Sequence, residues 1–193
     1  FYITVEVRNA AQLNDIMAKL RDIQTFMTPS ERTTKLEAGR FLEKMRVVIQ
    51  RVNHAAVRID GETVGQIQKG LLLLVGLAEG DGEEQVVKAA DKIAKMRIFE
   101  DEAGKLNDSL LDKGGDMLVI SQFTLYGDAR HGRRPSYVEA AKPEQAEALY
   151  TRFVEAVRAF GVEAATGRFR THMVVSLDND GPVTILLDSQ KNF

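Results

Sequence analysis

The middle of the chain alternates apolar and polar side chains in the two-residue period of half-buried strands. The alternation runs through residues 47–52 and continues through residues 55–59. Asp60-Gly61 is a pair typical of tight hairpin turns, and it leads into a further strand-like segment at residues 63–67. This order predicts an antiparallel meander.

Longer apolar runs predict more deeply buried elements. Leu71–Leu77 is continuously apolar, which favours a strand buried on both faces, although a short buried helix has the same pattern. Met117–Leu125 is a second apolar run rich in strand-forming residues. Near the end, Met173–Leu177 and Val183–Leu187 flank the turn-forming sequence Asn179-Asp180-Gly181, so we expect a final hairpin.

Two segments repeat apolar residues at helical spacing. Asp81, followed three positions later by Glu84, predicts a capping box at the start of the first helix. Its apolar stripe is Val86, Ala90, Ile93 and Ala94. The second helix begins at Pro143 and ends before Gly161. Its apolar face is Ala146, Leu149, Phe153, Val157 and Phe160. Strands with two main helices predict an α+β fold.

Residues 1–44 form a separate short βα pattern. Residues 2–8 alternate as a strand, Asn9 can cap a helix that runs to Ile23, and residues 29–44 are polar and linker-like. One strand and one helix cannot close a core, so we predict a domain boundary near Met45. Because the chain begins with Phe1, we expect a fragment, a processed form or a mis-called reading frame.

The first 23 residues resemble the first strand and helix of an ACT module, the kind of domain with which the (p)ppGpp synthetases end. Residues 1–44 are therefore expected to be a partial ACT-like appendage with a linker. Two interpretations stay open, a fusion or frame artefact and a working regulatory module.

Composition narrows the classes of partner. The net charge of -2 gives no global attraction to nucleic acid, so an RNA site would have to be a local patch. The absence of cysteine excludes disulfides and thiolate chemistry and suits a reducing cytoplasm, where we expect this protein. The longest apolar run, Leu71–Leu77, is too short to span a bilayer, so no membrane partner is expected.

Common catalytic constellations are missing from the sequence. His54, His131 and His172 lack ligand spacing, and without cysteine we expect no metal site. The chain has no G-x-S-x-G elbow, Walker A loop, H-E-x-x-H or dinucleotide fingerprint. An enzyme built on this chain needs another source of catalysis.

Two segments break their local pattern. Polar side chains at 121–125 interrupt the second apolar run, although an edge strand with Gln122 and Thr124 facing outward would explain them. Pro182 follows Gly181 immediately after the predicted turn. It either opens a strand, where a missing N–H is tolerated, or forms a fixed peptide, cis or trans, that presents backbone groups to a ligand.

Three motifs taken together resemble those of the D-aminoacyl-tRNA deacylase family. They are MRVVIQRV at 45–52, SQFTL at 121–125 and NDGPVT at 179–184, in the family's order and spacing across residues 45–193. The resemblance implies a homodimer of compact β-barrel-like subunits with its active site at the dimer interface. It implies an enzyme that hydrolyses the ester of D-aminoacyl-tRNA and of glycyl-tRNA as part of translation quality control. It also implies that this enzyme needs no cofactor.

The resemblance also implies roles for residues. The catalytic pocket would be lined by Ser121, Gln122, Phe123 and Thr124. Backbone amides near Phe123 and Thr124 would stabilise the developing oxyanion. The 2′-hydroxyl of the terminal adenosine would assist a water, with Thr124 as an alternative nucleophile for which the sequence shows no neighbouring base. Gly181 and Pro182 of the partner subunit would form a backbone gate that rejects L-amino acids, which is chiral proofreading.

The remaining candidates concern the tRNA. Phe169 and Met173 correspond to positions that seat the adenine, although both fit a hydrophobic core. Next to them, Arg170 and Thr171 stand where the family often has a Gly-Ala pair, and Arg170 could grip a phosphate. A basic loop, DARHGRRPS, could contact acceptor-stem phosphates or could simply be solvated. Its basic residues are Arg130, Arg133 and Arg134.

A rival interpretation belongs to another class. The chain would be a non-catalytic dimer that binds RNA or senses a small molecule through the ACT-like segment. A deacylation assay separates the two.

Overall fold

The computed structural model describes residues 44–189. The strands of this region are β1 (Arg46–Ile59), β2 (Glu62–Ile67), β3 (Gly70–Gly76), β4 (Phe99–Glu100), β5 (Leu106–Asp108), β6 (Asp116–Ser121), β7 (Ala164–Thr166) and β8 (Val174–Asp188). Its helices are α1 (Glu83–Ala94), α2 (Leu110–Lys113) and α3 (Pro143–Arg158), with a 3-10 turn at Phe123–Tyr126. The ACT-like strand and helix lie outside the described residues, and the boundary near Met45 stays a prediction.

The two strand segments expected before the first turn form one strand, β1, of 14 residues. It pairs antiparallel with β2 near its end, with β3 near its beginning and with β8 along most of its length. Asp60 and Gly61 connect β1 to β2 with φ angles of 51° and 86°. Two consecutive positive φ angles characterise the tight turn that this pair predicts.

The sheet continues from β3 through β6 to β7, and these strands are parallel. Leu71 and Leu73 of β3 pack on the helices' side of the sheet, whereas Leu72 packs on the other side. This confirms the strand buried on both faces and contradicts the short-helix alternative.

The sheet curls into a nearly closed barrel, because β2 and β7 approach each other closely. A Cβ at Gly65 would lie 2.7 Å from the carbonyl oxygen of Thr166, so only glycine fits at this contact. The helices α1 and α3 cover one face of the sheet, with Phe153 of α3 fully buried. The α+β, barrel-like fold is therefore confirmed. No helix within residues 44–189 is long and apolar enough to cross a membrane.

The prediction that Asp81 caps the first helix is wrong. Gly82 is the cap residue, and its N–H donates to Oε1 of Gln85 at 2.6 Å. The Asp81 carboxylate instead accepts hydrogen bonds from the backbone N–H groups of Lys44 (2.9 Å) and Ala78 (2.8 Å). These two amides occupy the carboxylate oxygens that would otherwise cap the helix. Asp81 therefore links the beginning of β1 to the loop after β3.

The predicted final hairpin is also wrong, because β8 is a single strand of 15 residues. It runs antiparallel to β1 from the pair Arg58–Val174 to the pair Arg46–Asp188. The residues between Asn179 and Thr184 bulge out of this ladder, which is irregular on both sides of Val52. The long partner strand offers pairing on both sides of the turn-forming sequence, so the chain bulges instead of reversing.

Candidate active site

The segment Ser121–Leu125 is not a continuation of the strand. β6 ends at Ser121, and the N–H of Gln122 donates the last bond across to the carbonyl of Val75 at 2.7 Å. A 3-10 turn follows, which leaves Phe123 57% exposed and buries Tyr126. The extended run to Leu125 and the edge-strand alternative are both wrong, because residues three apart, and not two apart, share a side of this turn.

The turn leaves its first two amides unused by its own hydrogen bonds. Those bonds begin at the N–H of Leu125, which donates to Gln122 O at 3.3 Å, and continue with Gly127 N–H to Thr124 O at 2.9 Å. The amides of Phe123 and Thr124 come before the first of them. The Thr124 hydroxyl accepts a short hydrogen bond from Nε2 of Gln122. The turn therefore offers backbone N–H donors for an oxyanion, and the side-chain amide of Gln122 holds the Thr124 hydroxyl.

Arg46 holds the far end of the same turn. Its Nη1 donates to the carbonyl oxygen of Leu125 at 2.9 Å, and its Nε lies 3.4 Å from Oδ2 of Asp188. The guanidinium also sits 4.8 Å from the ring centre of Tyr126, whose hydroxyl donates to Lys44 O. Burial raises the pKa of Tyr126, so this hydroxyl stays protonated and keeps donating.

A cavity of about 710 Å³ opens beside the turn. Its walls come from the ends of β3 and β6, the turn itself, residues 137–143, the start of α3 and the loop before β8. Of the residues predicted as functional, it brings together Ser121, Gln122, Phe123, Phe169 and Met173. The remaining candidates, Thr124, Arg130, Arg133, Arg134, Gly181 and Pro182, are not among its lining residues.

Phe169 and Met173 belong to both the cavity and the core. The Phe169 ring lies 6.2 Å from the ring of Tyr150, whose hydroxyl donates to Val119 O at 2.7 Å. Burial raises the pKa of Tyr150 to about 12. A Cβ at Gly167 would overlap the sulphur of Met173, so the glycine makes room for this side chain. The pocket and core interpretations therefore both apply to Phe169 and Met173.

Arg170 adopts a left-handed backbone conformation with φ of 58°. Residues with a Cβ rarely take this conformation, and glycine takes it without strain. The hydroxyl of Thr171 donates to Arg168 O at 2.8 Å and stabilises the same turn. The loop thus has the backbone of a glycine-containing turn although arginine occupies it.

Sequence reasoning missed residues 137–143 as a wall of the cavity. Tyr137 meets Phe123 edge to face with ring centres 5.3 Å apart, and Lys142 precedes α3 at the cavity. Neither stands in a recognisable motif, so only the fold could reveal them.

The basic loop lies outside this cavity. Arg130 pairs with Asp128 through Nε at 2.8 Å and Nη2 at 2.7 Å, and this pairing holds the pKa of Asp128 well below its usual range. Arg133 and Arg134 are exposed. The loop presents charge to solvent and not to the pocket.

The bulge of β8 lies beside a different cavity, of about 440 Å³, which Gly181 lines together with Arg51. The Gly181–Pro182 peptide is cis. Arg51 is buried, donates from Nη1 to Ile98 O at 2.7 Å and places Nε 2.8 Å from Oδ2 of Asp180. One copy of the chain therefore has SQFTL and Gly-Pro on separate cavities.

The described residues contain no group of three or more His, Asp or Glu side chains able to hold a metal ion.

Comparison with known proteins identifies the family. The model of D-Tyr-tRNA(Tyr) deacylase matches residues 48–188. The chain belongs to this deacylase family. Its relatives include the D-aminoacyl-tRNA deacylase of Lactobacillus delbrueckii subsp. bulgaricus, which is 67% identical over 144 residues, 75% of this chain and 99% of that protein. The enzyme of Symbiobacterium thermophilum is 56% identical over 149 residues, 77% of this chain and 99% of that protein.

Solved structures agree with the deacylase fold. The c-Myc DNA Unwinding Element Binding Protein aligns with a TM-score of 0.70 and 37% identity, covering 75% of this chain and 98% of that one. A probable eukaryotic D-amino acid tRNA deacylase aligns with a TM-score of 0.67 over 75% of this chain and 99% of that one, and at 20% identity it shows the fold alone. The activity follows from the family match and the curated relatives, which show a hydrolase that deacylates D-aminoacyl-tRNA. They favour the enzyme over the non-catalytic interpretation.

Proposed function

We propose that the 710 Å³ cavity is the hydrolytic site and that the turn after β6 supplies the catalytic donors. The amides of Phe123 and Thr124 open that turn and stay outside its own hydrogen bonds. Donors that are fixed before the reaction stabilise the negative charge of an ester's transition state. In this proposal the 2′-hydroxyl of the terminal adenosine assists the attacking water. Thr124 is the poorer candidate for the nucleophile, because its hydroxyl oxygen accepts a hydrogen bond from Nε2 of Gln122.

A matched pair of substitutions tests the amide donors. Phe123→Pro removes the N–H together with the phenyl ring, whereas Phe123→Ala removes only the ring. Proline suits the first position of a helical turn, and Gln122 before it lies outside the helical region that proline disfavours (φ -142°, ψ 78°). We expect Phe123→Pro to lower kcat roughly 100-fold below that of Phe123→Ala, the usual loss for one oxyanion donor. Equal rates for the two folded variants would reject the amide donor.

We further propose that the active enzyme is a homodimer in which each bulge of β8 enters the partner's cavity. Three facts support this. Gly181 and the SQFTL turn line different cavities of one copy. Within the described region β8 pairs with β1 and no other strand, so one edge of β8 is open. Val174, Leu177 and Leu186 expose apolar surface along the same strand. An open edge with apolar side chains favours pairing with another chain.

The gate acts through backbone groups of Gly181 and Pro182. In the partner's cavity they leave no room for an L side chain, and they admit D-amino acids and achiral glycine. The substrate is therefore D-aminoacyl-tRNA, with glycyl-tRNA as a second substrate, and the reaction is proofreading in the cytoplasm. Arg133 and Arg134, assisted by Arg130, contact the acceptor stem, which gives an acidic protein a local RNA surface.

Hydrolysis of D-Tyr-tRNA, L-Tyr-tRNA and glycyl-tRNA tests the gate. We expect Pro182→Ala to lose activity or D-selectivity more than Thr124→Ala does. Mixed dimers of Gln122→Ala with Pro182→Ala decide whether the gate acts between subunits. One intact pocket would then meet one intact gate, and the mixture would recover activity that neither variant has alone. No recovery from a confirmed mixed dimer would show that gate and pocket belong to one chain.

A further inference from the structure

The lining residues of the 710 Å³ cavity include three residues of basic type and no acidic residue. The three basic residues are Lys142, Arg170 and His172. The chain as a whole is slightly acidic, with a net charge of -2. This local bias is therefore not inherited from the composition.

These side chains have no partner in the described part of the chain. Arg46, Arg51 and Arg130 each face a carboxylate there. In contrast, no ion pair or side-chain hydrogen bond within residues 44–189 engages Lys142, Arg170 or His172. Their donors are free to bind an anion that enters the cavity.

The backbone of Arg170 is an independent indication. Its φ of 58° disfavours any residue that carries a Cβ, and the turn is closed by the Thr171 hydroxyl without help from the arginine side chain. Glycine would form the same turn with less strain. Strain of this kind that persists in a binding site points to a function of the side chain.

The rest of the cavity indicates which anion would bind. Ser121, Gln122 and Phe123 mark the reaction end in the proposed function, on which this inference rests. Apolar residues such as Phe169 and Met173 provide a surface for a flat base. An adenosine whose 3′ ester lies at the turn still carries its 5′ phosphodiester, which is the nearest negative charge of the substrate.

We propose that Lys142, Arg170 and His172 form a phosphate-binding rim for the phosphodiester on the 5′ side of the terminal adenosine. The guanidinium of Arg170 matches two phosphate oxygens at once, and Lys142 adds a point charge. The rim places the nucleotide along the cavity and so brings its ester to the turn. It contacts no base edge, so it does not distinguish one tRNA from another.

Two small substrates isolate this contact. One is adenosine with a 3′ D-tyrosyl ester, and the other is the same ester on adenosine 5′-monophosphate. We measure kcat/KM for both with the full chain and with Arg170→Gly, Lys142→Gln and the control Arg168→Gln. Arg168 is an exposed neighbour that does not line the cavity.

We expect the preference for the phosphorylated substrate to fall about tenfold in Arg170→Gly, and less in Lys142→Gln, as loss of one charged hydrogen bond implies. Arg168→Gln should keep the wild-type preference. An equal loss on both substrates, or an unchanged preference in Arg170→Gly, would overturn the phosphate rim.

Binding of a short RNA that ends in CCA and carries no amino acid separates this inference from the proposed function. If the wild type hydrolyses neither ester, the proposed site is wrong, but the rim still predicts weaker RNA binding by Arg170→Gly than by Arg168→Gln. The salt dependence of binding should also become shallower by about one ion for each cation removed. Identical affinity and salt dependence in both variants would reject the rim on its own.

Discussion

Nε of Arg51 lies 2.8 Å from Oδ2 of Asp180, so a guanidinium in the core of the barrel contacts the residue just before Gly181. The contact is an ion pair between a side chain 6% exposed and one 43% exposed, and not a linear hydrogen bond. Arg51 also donates to Ile98 O and faces the Phe99 ring at 5.9 Å. The bulge that carries the proposed gate is thereby fastened to the core.

We predict that Asp180→Ala destabilises the protein by about 1–3 kcal/mol, because it leaves a buried cation without its counter-charge. The partial exposure of Asp180 places the expected value near the lower end. Denaturant unfolding measures it, and Asp178→Ala on the same strand is the matched control. If the stability losses of Arg51→Met and Asp180→Ala add up in the double variant, the two residues are not coupled and this ion pair does not hold the bulge to the core.

Arg46 should affect the rate more than substrate binding. It fixes the Leu125 carbonyl at the end of the turn whose amides are proposed to be catalytic. We expect Arg46→Met to lower kcat roughly tenfold with little change in KM, because small displacements of catalytic groups are costly, and Arg46→Lys to recover part of the loss. Arg58→Met, on the exposed end of the same strand, controls for loss of charge. A rise in KM alone would contradict a positioning role.

The sequence predicted elements best where burial repeats at a regular period. Leu71–Leu77 and the apolar face of α3 were recognisable because each satisfies one geometry over many residues. The family motifs added SQFTL as a pocket wall, which periodicity alone assigned to a strand.

The sequence failed where distant partners decide between local alternatives. Asn179-Asp180-Gly181 favours a turn, but β1 pairs on both sides of it and produces a bulge. Asp81 has the spacing of a helix cap, but the amides of Lys44 and Ala78 bind its carboxylate. Lys142 and Arg170 line the same cavity although they lie far apart in the chain, so no local pattern could place them together.

Gly167 should control the shape of the pocket. A methyl group there overlaps the sulphur of Met173, which is the flexible end of its side chain. We expect Gly167→Ala to move Met173 and to raise KM several-fold for D-Tyr-tRNA, with a loss of stability below about 1.5 kcal/mol. Kinetics and denaturant unfolding separate the two effects. Combining the variant with Met173→Ala should restore KM if this overlap is the cause.

Residues 1–43 should be dispensable for the reaction. The relatives from Lactobacillus and Symbiobacterium match this chain over 99% of their own length while covering only 75% and 77% of it. Met45 is buried in the core of residues 44–189. We therefore expect a chain that starts at Lys44 to keep its fold and its kcat/KM, measured by circular dichroism and deacylation. Loss of a folded product would place the domain boundary earlier.

The stability of the protein should fall at alkaline pH in part through Tyr150, alongside Tyr126, whose pKa burial also raises. Its hydroxyl donates to Val119 O, and burial raises its pKa from 10 to about 12. A raised pKa means that the fold favours the protonated phenol, so this contribution is complete below pH 10 and is lost as the pH rises towards 12. Tyr150→Phe should lower the free energy of unfolding by about 1 kcal/mol at pH 8, because one hydrogen bond is lost. It should also make that free energy fall less steeply at alkaline pH. Unfolding free energies from pH 8 to 11 measure both effects.

Tyr137→Phe, at an exposed ring, is the control and should leave the alkaline fall of the unfolding free energy unchanged. If the control reduced this fall as much as Tyr150→Phe does, Tyr150 would not be its source.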